Sequence, residues 1–251
     1  MNKLPRVTLL FWIMKIAATT LGETAGDLLS MTLKVGYAAS SMLLIGLFIV
    51  SLAAQLRSKR HHPWLYWVVI LSTSTAGTTI SDYLDRTLGL GYAKGALVLA
   101  AILSAIFVYW RSSAHSFSIQ HIRTFKGELL YWVAILCSNT LGTALGDFLA
   151  DDSGLGFAGG ALLIAALLAL IAVILIATRV SRTLLFWMAF VLTRPFGATM
   201  GDVLTKSAEK GGLNFGTIGS SAVLGTILVI LIVHTTWDQT KKMGAVANVS
   251  C

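Results

Sequence analysis

Four copies of one pattern run through the chain and restrict its fold more than any other feature. They open with Leu10-Phe11-Trp12, Leu65-Tyr66-Trp67, Leu130-Tyr131-Trp132 and Leu185-Phe186-Trp187. Each reaches an aspartate fifteen residues after its tryptophan: Asp27, Asp82, Asp147 and Asp202. Between tryptophan and aspartate stand Thr20, Gly22 and Gly26 in the first copy, Thr75, Gly77 and Ser81 in the second, and Thr140, Gly142 and Gly146 in the third. The fourth has Pro195, Gly197 and Gly201. An aromatic follows ten residues after the aspartate in three copies (Tyr37, Tyr92, Phe157) and thirteen after it in the last (Phe215). The aspartates are 55, 65 and 55 residues apart, so the units group as two pairs around a longer connection over 111–126.

Each unit holds two apolar stretches of the roughly 20 residues that a helix needs to cross a hydrocarbon core. With 56% hydrophobic and 12% charged residues, the chain is too apolar for a soluble domain. The pattern predicts an all-α integral membrane protein, a single transmembrane domain over 1–251, with helices at 7–30, 37–56, 64–86, 91–110, 128–150, 156–178, 183–205 and 215–236. The run from Met1 to Gly22 begins like a secretory signal but passes without a cleavage pattern into the first motif, so it reads as a membrane segment. The net charge of +8 sits in short tracts between apolar runs, not on the polar, aromatic-interleaved face that nucleic acid requires. Twelve of the nineteen Lys and Arg residues fall on one side (Lys3, Arg6, Arg57, Lys59, Arg60, Arg111, Arg123, Lys126, Arg179, Arg182, Lys241, Lys242) and five on the other. Positive residues stay inside, which places both termini in the cytoplasm and runs the four units parallel about an axis along the membrane normal. The motif-bearing odd helices are then the inner bundle and the even helices the lipid-facing layer. Cys137 and Cys251 do not form a disulfide framework.

Fifteen residues of helix rise about 22 Å. Trp12, Trp67, Trp132 and Trp187 are therefore expected as anchors at the cytoplasmic interface, with the aspartates near the outer edge of the core. Gly22/Gly26, Gly77/Ser81, Gly142/Gly146 and Gly197/Gly201 are small-xxx-small pairs that let helices approach. An ionisable group within a span is costly and points to function, and parallel units bring Asp27, Asp82, Asp147 and Asp202 to one depth as a ring of carboxylates. The first helix adds Lys15 and Glu23 at spacings that share a face with Asp27, whereas Thr78, Thr143 and Ala198 stand where Glu23 does. Arg194 occupies the place of Thr19, Ser74 and Asn139. Lys15 and Arg194 are expected to compensate an empty acidic site, either as a fixed ion pair or as a relay released when a cation arrives. Asp27, Asp82, Asp147, Asp202 and Glu23, with hydroxyl or amide oxygens from Thr20, Thr75, Thr140 and Asn139, form a hard-donor set suited to protons, Na⁺, Mg²⁺, Ca²⁺ or Mn²⁺.

No H-E-x-x-H, G-x-S-x-G, P-loop or dinucleotide pattern is present, and the G-x-G-D form of intramembrane aspartyl proteases is not matched, so no enzyme is expected. His61, His62, His115 and His121 read as solvated loop histidines, and His234 has no paired ligand.

The fourfold L-[FY]-W…T-x-G-x-x-x-[GS]-D-x-L pattern over about residues 9 to 235 resembles the bacterial membrane proteins built from four tandem repeats of unknown function, the DUF347 type. That resemblance implies a bacterial multi-pass inner-membrane protein and no particular activity. The residues themselves predict a secondary transporter, an exporter, of a small hard cation such as Mn²⁺, with the cation as its only bound ligand and the lipid bilayer as its surroundings. A cation-selective channel and a membrane scaffold or stress protein are the alternatives.

Overall fold

The computed structural model describes residues 5, 7–58, 61–113 and 124–249. Lys3, Arg6, Lys59, Arg60, His115, His121 and Arg123 lie outside the described residues. Every regular element among the described residues is helical: α1 (Leu9–Asp27), α2 (Tyr37–Arg57), α3 (Pro63–Asp82), α4 (Tyr92–Ser113), α5 (Phe125–Asp147), α6 (Gly156–Ala177), α7 (Arg182–Thr205) and α8 (Gly216–Val249). Side chains start three of the motif helices. Thr8, Thr124 and Ser181 accept the backbone N–H of Phe11, Gly127 and Leu184, while α3 begins on Pro63, whose missing N–H costs nothing in a first turn.

In the first three units the chain passes at its aspartate from α-helix into one turn of π-helix: Leu28–Thr32, Tyr83–Thr87 and Phe148–Asp152. The fourth unit differs. Its α-helix continues to Thr205 and a short 3₁₀ turn, Ala208–Lys210, follows, which takes up the extra residues before Phe215.

The odd helices form a closed ring in which α1 packs on α3 and α7, and α5 on the same two. The closest approaches follow the repeat. A Cβ on Gly22 would strike the Ser74 side chain, one on Gly77 would sit 2.9 Å from the Asn139 backbone, one on Gly142 would strike Arg194, and one on Gly197 would meet the Thr19 hydroxyl at 2.5 Å. In each case the glycine of one unit rests on the residue three places earlier in the motif of the next unit, and the fourth unit closes on the first. Gly26, Gly146 and Gly201 make a second tier, against Thr78, Ala198 and Glu23. The even helices follow the same rule: α2 packs on α3, α4 on α5, α6 on α7 and α8 on α1. They cover the ring from outside and leave large apolar side chains such as Met42, Leu97, Leu162 and Ile230 exposed.

Six helices are long and apolar enough to cross a membrane: α2, α4, α5, α6, α7 and α8. The chain thus has the build of a multi-pass membrane protein. Helices α1 and α3 do not reach that apolarity, because α1 carries Lys15, Glu23 and Asp27 and α3 a run of Ser and Thr; these groups are buried within the protein.

The tryptophans correct an expectation. They are not anchors facing the lipid interface: Trp67, Trp132 and Trp187 are buried and Trp12 is half-buried. Phe11 packs on Trp67 (5.8 Å between ring centres), Tyr66 on Trp132 (5.6 Å), Tyr131 on Trp187 (6.0 Å) and Phe186 on Trp12 (5.5 Å). The aromatic pair of each motif therefore joins a closed ring of eight, with the Tyr66 and Tyr131 hydroxyls bonded at 2.9 Å.

Because backbone and side chains meet at Gly77, a Gly77→Val chain should lose about 1–3 kcal/mol to overpacking. Gly46, which has nothing within 4 Å of its added Cβ, should accept Ala with little effect. Thermal unfolding of the two variants in detergent checks the contrast.

Candidate functional site: a buried charge cluster at the centre of the ring

Ring closure stacks equivalent positions in layers. Next to the aromatic ring lies a layer of Lys15, Ile70, Ile135 and Phe190, all fully buried. Beyond it comes the layer of Thr19, Ser74, Asn139 and Arg194, then that of Glu23, Thr78, Thr143 and Ala198, and last the four aspartates.

Arg194 reaches from α7 into the middle. Its Nη2 donates to Glu23 Oε2 at 3.0 Å, to the hydroxyls of Thr78 and Thr143 at 2.5 and 2.6 Å, and to the Ser74 carbonyl at 3.4 Å. Thr78 Oγ1 also lies 3.2 Å from Glu23 Oε2, and Thr143 Oγ1 3.5 Å from it. One ion pair with two hydroxyls thus ties all four odd helices at a point where Arg194 and Glu23 are almost wholly screened from solvent. The pair that forms is Arg194 with Glu23. Lys15 instead lies over the Phe190 ring at 4.1 Å, and the aspartates take other partners.

Those partners are Arg86 and Lys206, which occupy equivalent positions four residues after Asp82 and Asp202. Arg86 holds Asp82 at 2.8 Å and reaches Asp147 of the next unit at 3.4 Å. Lys206 holds Asp202 at 3.1 Å and Asp27 of the next unit at 2.8 Å. The aspartates are therefore clasped in two pairs rather than spread as an even ring of four. Burial works against the Lys206 ammonium, but Asp202 and Asp27 outweigh it and hold the group protonated well above the ordinary lysine range.

One oxygen from each of Glu23, Asp147 and Asp202 lies within 4.8 Å of the others, and all three residues are buried. Five carboxylates (Glu23, Asp27, Asp82, Asp147, Asp202) face three cationic groups (Arg86, Arg194, Lys206), leaving two negative charges uncompensated when all are ionised. Cys137 stands apart, with its thiol on the Leu99 carbonyl, so the donors here are oxygens.

The structure gathers some expected residues and not others. Asp27 and Asp82 belong to the clasps, outside the trio of converging oxygens. Thr75 and Thr140 donate their hydroxyls to carbonyls one turn back on their own helices, Leu71 and Leu136. Thr20 is buried on the same motif face. Asn139 donates to Thr73 Oγ1 at 2.9 Å across the α3–α5 seam. The hydroxyls beside the charges are those of Thr78 and Thr143. Sequence reasoning also missed Arg86 and Lys206 as partners. Their signal was present, a base one helical turn beyond the aspartate in alternate units.

Removing one member of a buried pair leaves the other uncompensated. Arg194→Met should therefore cost about 3–5 kcal/mol, and adding Glu23→Gln to it should recover part of that loss. A double-mutant cycle read by thermal unfolding checks this, and additive losses would mean the pair carries no coupling.

The Repeat of Unknown Function (DUF347) family model matches four times, at residues 10–61, 65–116, 130–181 and 185–240. No curated protein matches the chain. No solved structure matches it either. The chain belongs to the family of proteins built from the DUF347 repeat.

Proposed function

We infer that this protein is a secondary carrier of a small hard divalent cation such as Mn²⁺, working as an exporter in a bacterial inner membrane. In this reading all eight helices cross the bilayer, both termini are cytoplasmic, and the four parallel units surround an axis along the membrane normal. The observation that carries it is the convergence of Glu23, Asp147 and Asp202. Oxygens on one such ion lie at most about 4–5 Å apart, twice the bond length, and one oxygen of each of these three lies within 4.8 Å of the others, so small ions draw them slightly closer. An excess of two negative charges suits a divalent ion, and donors limited to carboxylate and hydroxyl oxygen favour Mg²⁺, Ca²⁺ or Mn²⁺ over soft metals.

Arg194 then acts as a tethered counter-ion. It neutralises Glu23 while no cation is bound and gives up that carboxylate when one arrives, a differential contact of the kind that alternating conformations require. The two ends of the ring differ as a carrier's would. Acids and clasps stand at one end, while the aromatic ring and the buried Lys15 layer stand at the other. A guanidinium bound across the middle argues against a permanently open pore, so a channel is the weaker reading.

Purified protein in proteoliposomes, offered Na⁺, Mg²⁺, Ca²⁺ or Mn²⁺ with a pH dye, should show saturable flux of a divalent cation. Glu23→Gln or Asp147→Asn should lower the apparent affinity by roughly tenfold or more, as disturbance of a metal's shell does. Unitary currents would instead make it a channel. Absence of any cation flux from well-folded protein would sink the transport reading.

A further inference from the structure

The π-helical turn of the second unit, Tyr83–Thr87, holds an acid that the carboxylate cluster does not use. Asp85 stands three residues after Asp82, where the other units have Ser30, Ala150 and Thr205. It is 6% exposed, and Ser81 donates its hydroxyl to Asp85 Oδ2 at 3.2 Å. Ser81 is itself a departure from the repeat, since Gly26, Gly146 and Gly201 fill its place. Ser30 and Thr205 instead turn their hydroxyls back to the carbonyls of Gly26 and Gly201. The second unit thus combines a carboxyl with its own hydroxyl donor. The other oxygen, Asp85 Oδ1, is buried and has no hydrogen-bond partner. It lies on Gly95 of α4, so close that a Cβ there would strike it and would also stand 2.9 Å from Cγ and 3.1 Å from Oδ2.

A buried carboxylate needs donors on its oxygens, and with one of them pressed on an aliphatic backbone the neutral acid costs less than the charge. The neighbouring cation is already engaged. Arg86 gives its Nε to Asp82 at 2.8 Å and its Nη2 to Asp147 at 3.4 Å, a longer contact than the other three in the two clasps. Its guanidinium lies over the Tyr92 ring of α4, 5.6 Å from the centre. Tyr92 and Gly95 are three residues apart and share a face of α4, so the Asp85 carboxyl and the Arg86 guanidinium rest next to each other on one helix. The other titratable groups at this end of the elements packed on the turn are Asp82 on α3, Tyr37 on α2, the exposed Lys94 on α4 and Tyr83 in the turn itself. Residues 86–89 are exposed, so solvent stands beside the buried acid.

Resting on the carrier reading above, we propose that Asp85 is the proton site coupled to the cation. It holds a proton while Arg86 clasps Asp147. Its O–H bond breaks as the proton passes to water at the acid end, and the carboxylate left behind draws the adjacent guanidinium off Asp147, whose oxygens are then open to the cation. Reprotonation returns Arg86 to Asp147 and expels the cation. Each ligand thus weakens the other's binding by the same factor, as exchange between them requires.

The test uses the full chain in detergent. Infrared spectra at neutral pH without metal should show the carbonyl stretch of a protonated carboxylic acid in wild type, and Asp85→Asn should lower its intensity. Gly95→Ala, which forces the carboxyl off α4, should make this part of the band titrate away at lower pH. Should Asp85→Asn not fold, Asp85→Ser, which carries the residue of the first unit, takes its place. Calorimetry of Mn²⁺ binding in two buffers of different protonation enthalpy counts the protons. Wild type should release about one more per Mn²⁺ bound than Asp85→Asn. Equal acid bands in wild type and Asp85→Asn, or Mn²⁺ binding with equal proton counts, would overturn the proposal and leave the carrier reading standing. Absence of Mn²⁺ binding would sink the carrier reading and the coupling with it.

Discussion

The architecture depends on the close approach of the odd helices at Gly22, Gly77, Gly142 and Gly197. In lipid no hydrophobic force draws helices together, and contact between backbones has to come from small residues that allow it. Each glycine here receives the residue three places earlier in the motif of the following unit, and the step from one unit to the next recurs in the aromatic and ionic contacts. Aromatic rings pass from Phe11 to Trp67 and onward until Phe186 meets Trp12. Bases pass from Arg86 to Asp147 and from Lys206 to Asp27. Each even helix leans on the next odd one. A chain of four similar units thus closes without a free end, and closure makes the buried interior in which charged side chains meet.

Departures from the repeat carry the chemistry. Pure fourfold symmetry would place identical residues around the centre, and four like charges there would repel. Instead one layer holds a single acid with two hydroxyls and Ala198, the layer below holds a single guanidinium, and Arg86 and Lys206 appear in alternate units to clasp the aspartates by twos. Glu23 and Arg194 come from adjacent helices, α1 and α7, in the first and last units. A buried pair of this kind adds little net stability, and in the proposed function its value lies in fixing one arrangement that a competing ion can change.

Much of this was legible in the chain itself. The constant spacing from tryptophan to aspartate located every helix pair, and the small residues marked the seams. The charged positions on α1 and α7 identified the interior. The tryptophans misled because an aromatic at the end of an apolar helix has the same sequence signature whether it faces headgroups or packs on the neighbouring Phe or Tyr; only helix rotation decides, and ring closure sets that rotation. Thr75 and Thr140 set their hydroxyl hydrogens on the carbonyl one turn back, a choice invisible in composition. Thr78 and Thr143 had been noted only as replacements for Glu23, and their convergence required knowing that equivalent positions share a layer. The pairing of aspartates across units could not be read from spacing, since the 55-residue intervals group units one with two and three with four, whereas the clasps join two with three and four with one.

The central claim is that one cation is held by oxygens of Glu23, Asp147 and Asp202 in place of the Arg194 contact. The most direct measurement is anomalous diffraction at the manganese edge from crystals of the full chain grown with Mn²⁺. The account predicts a single strong peak among those three carboxylates, with the Arg194 guanidinium withdrawn from Glu23. A peak elsewhere, or an intact Arg194–Glu23 pair with no metal density beside it at saturating Mn²⁺, would contradict it.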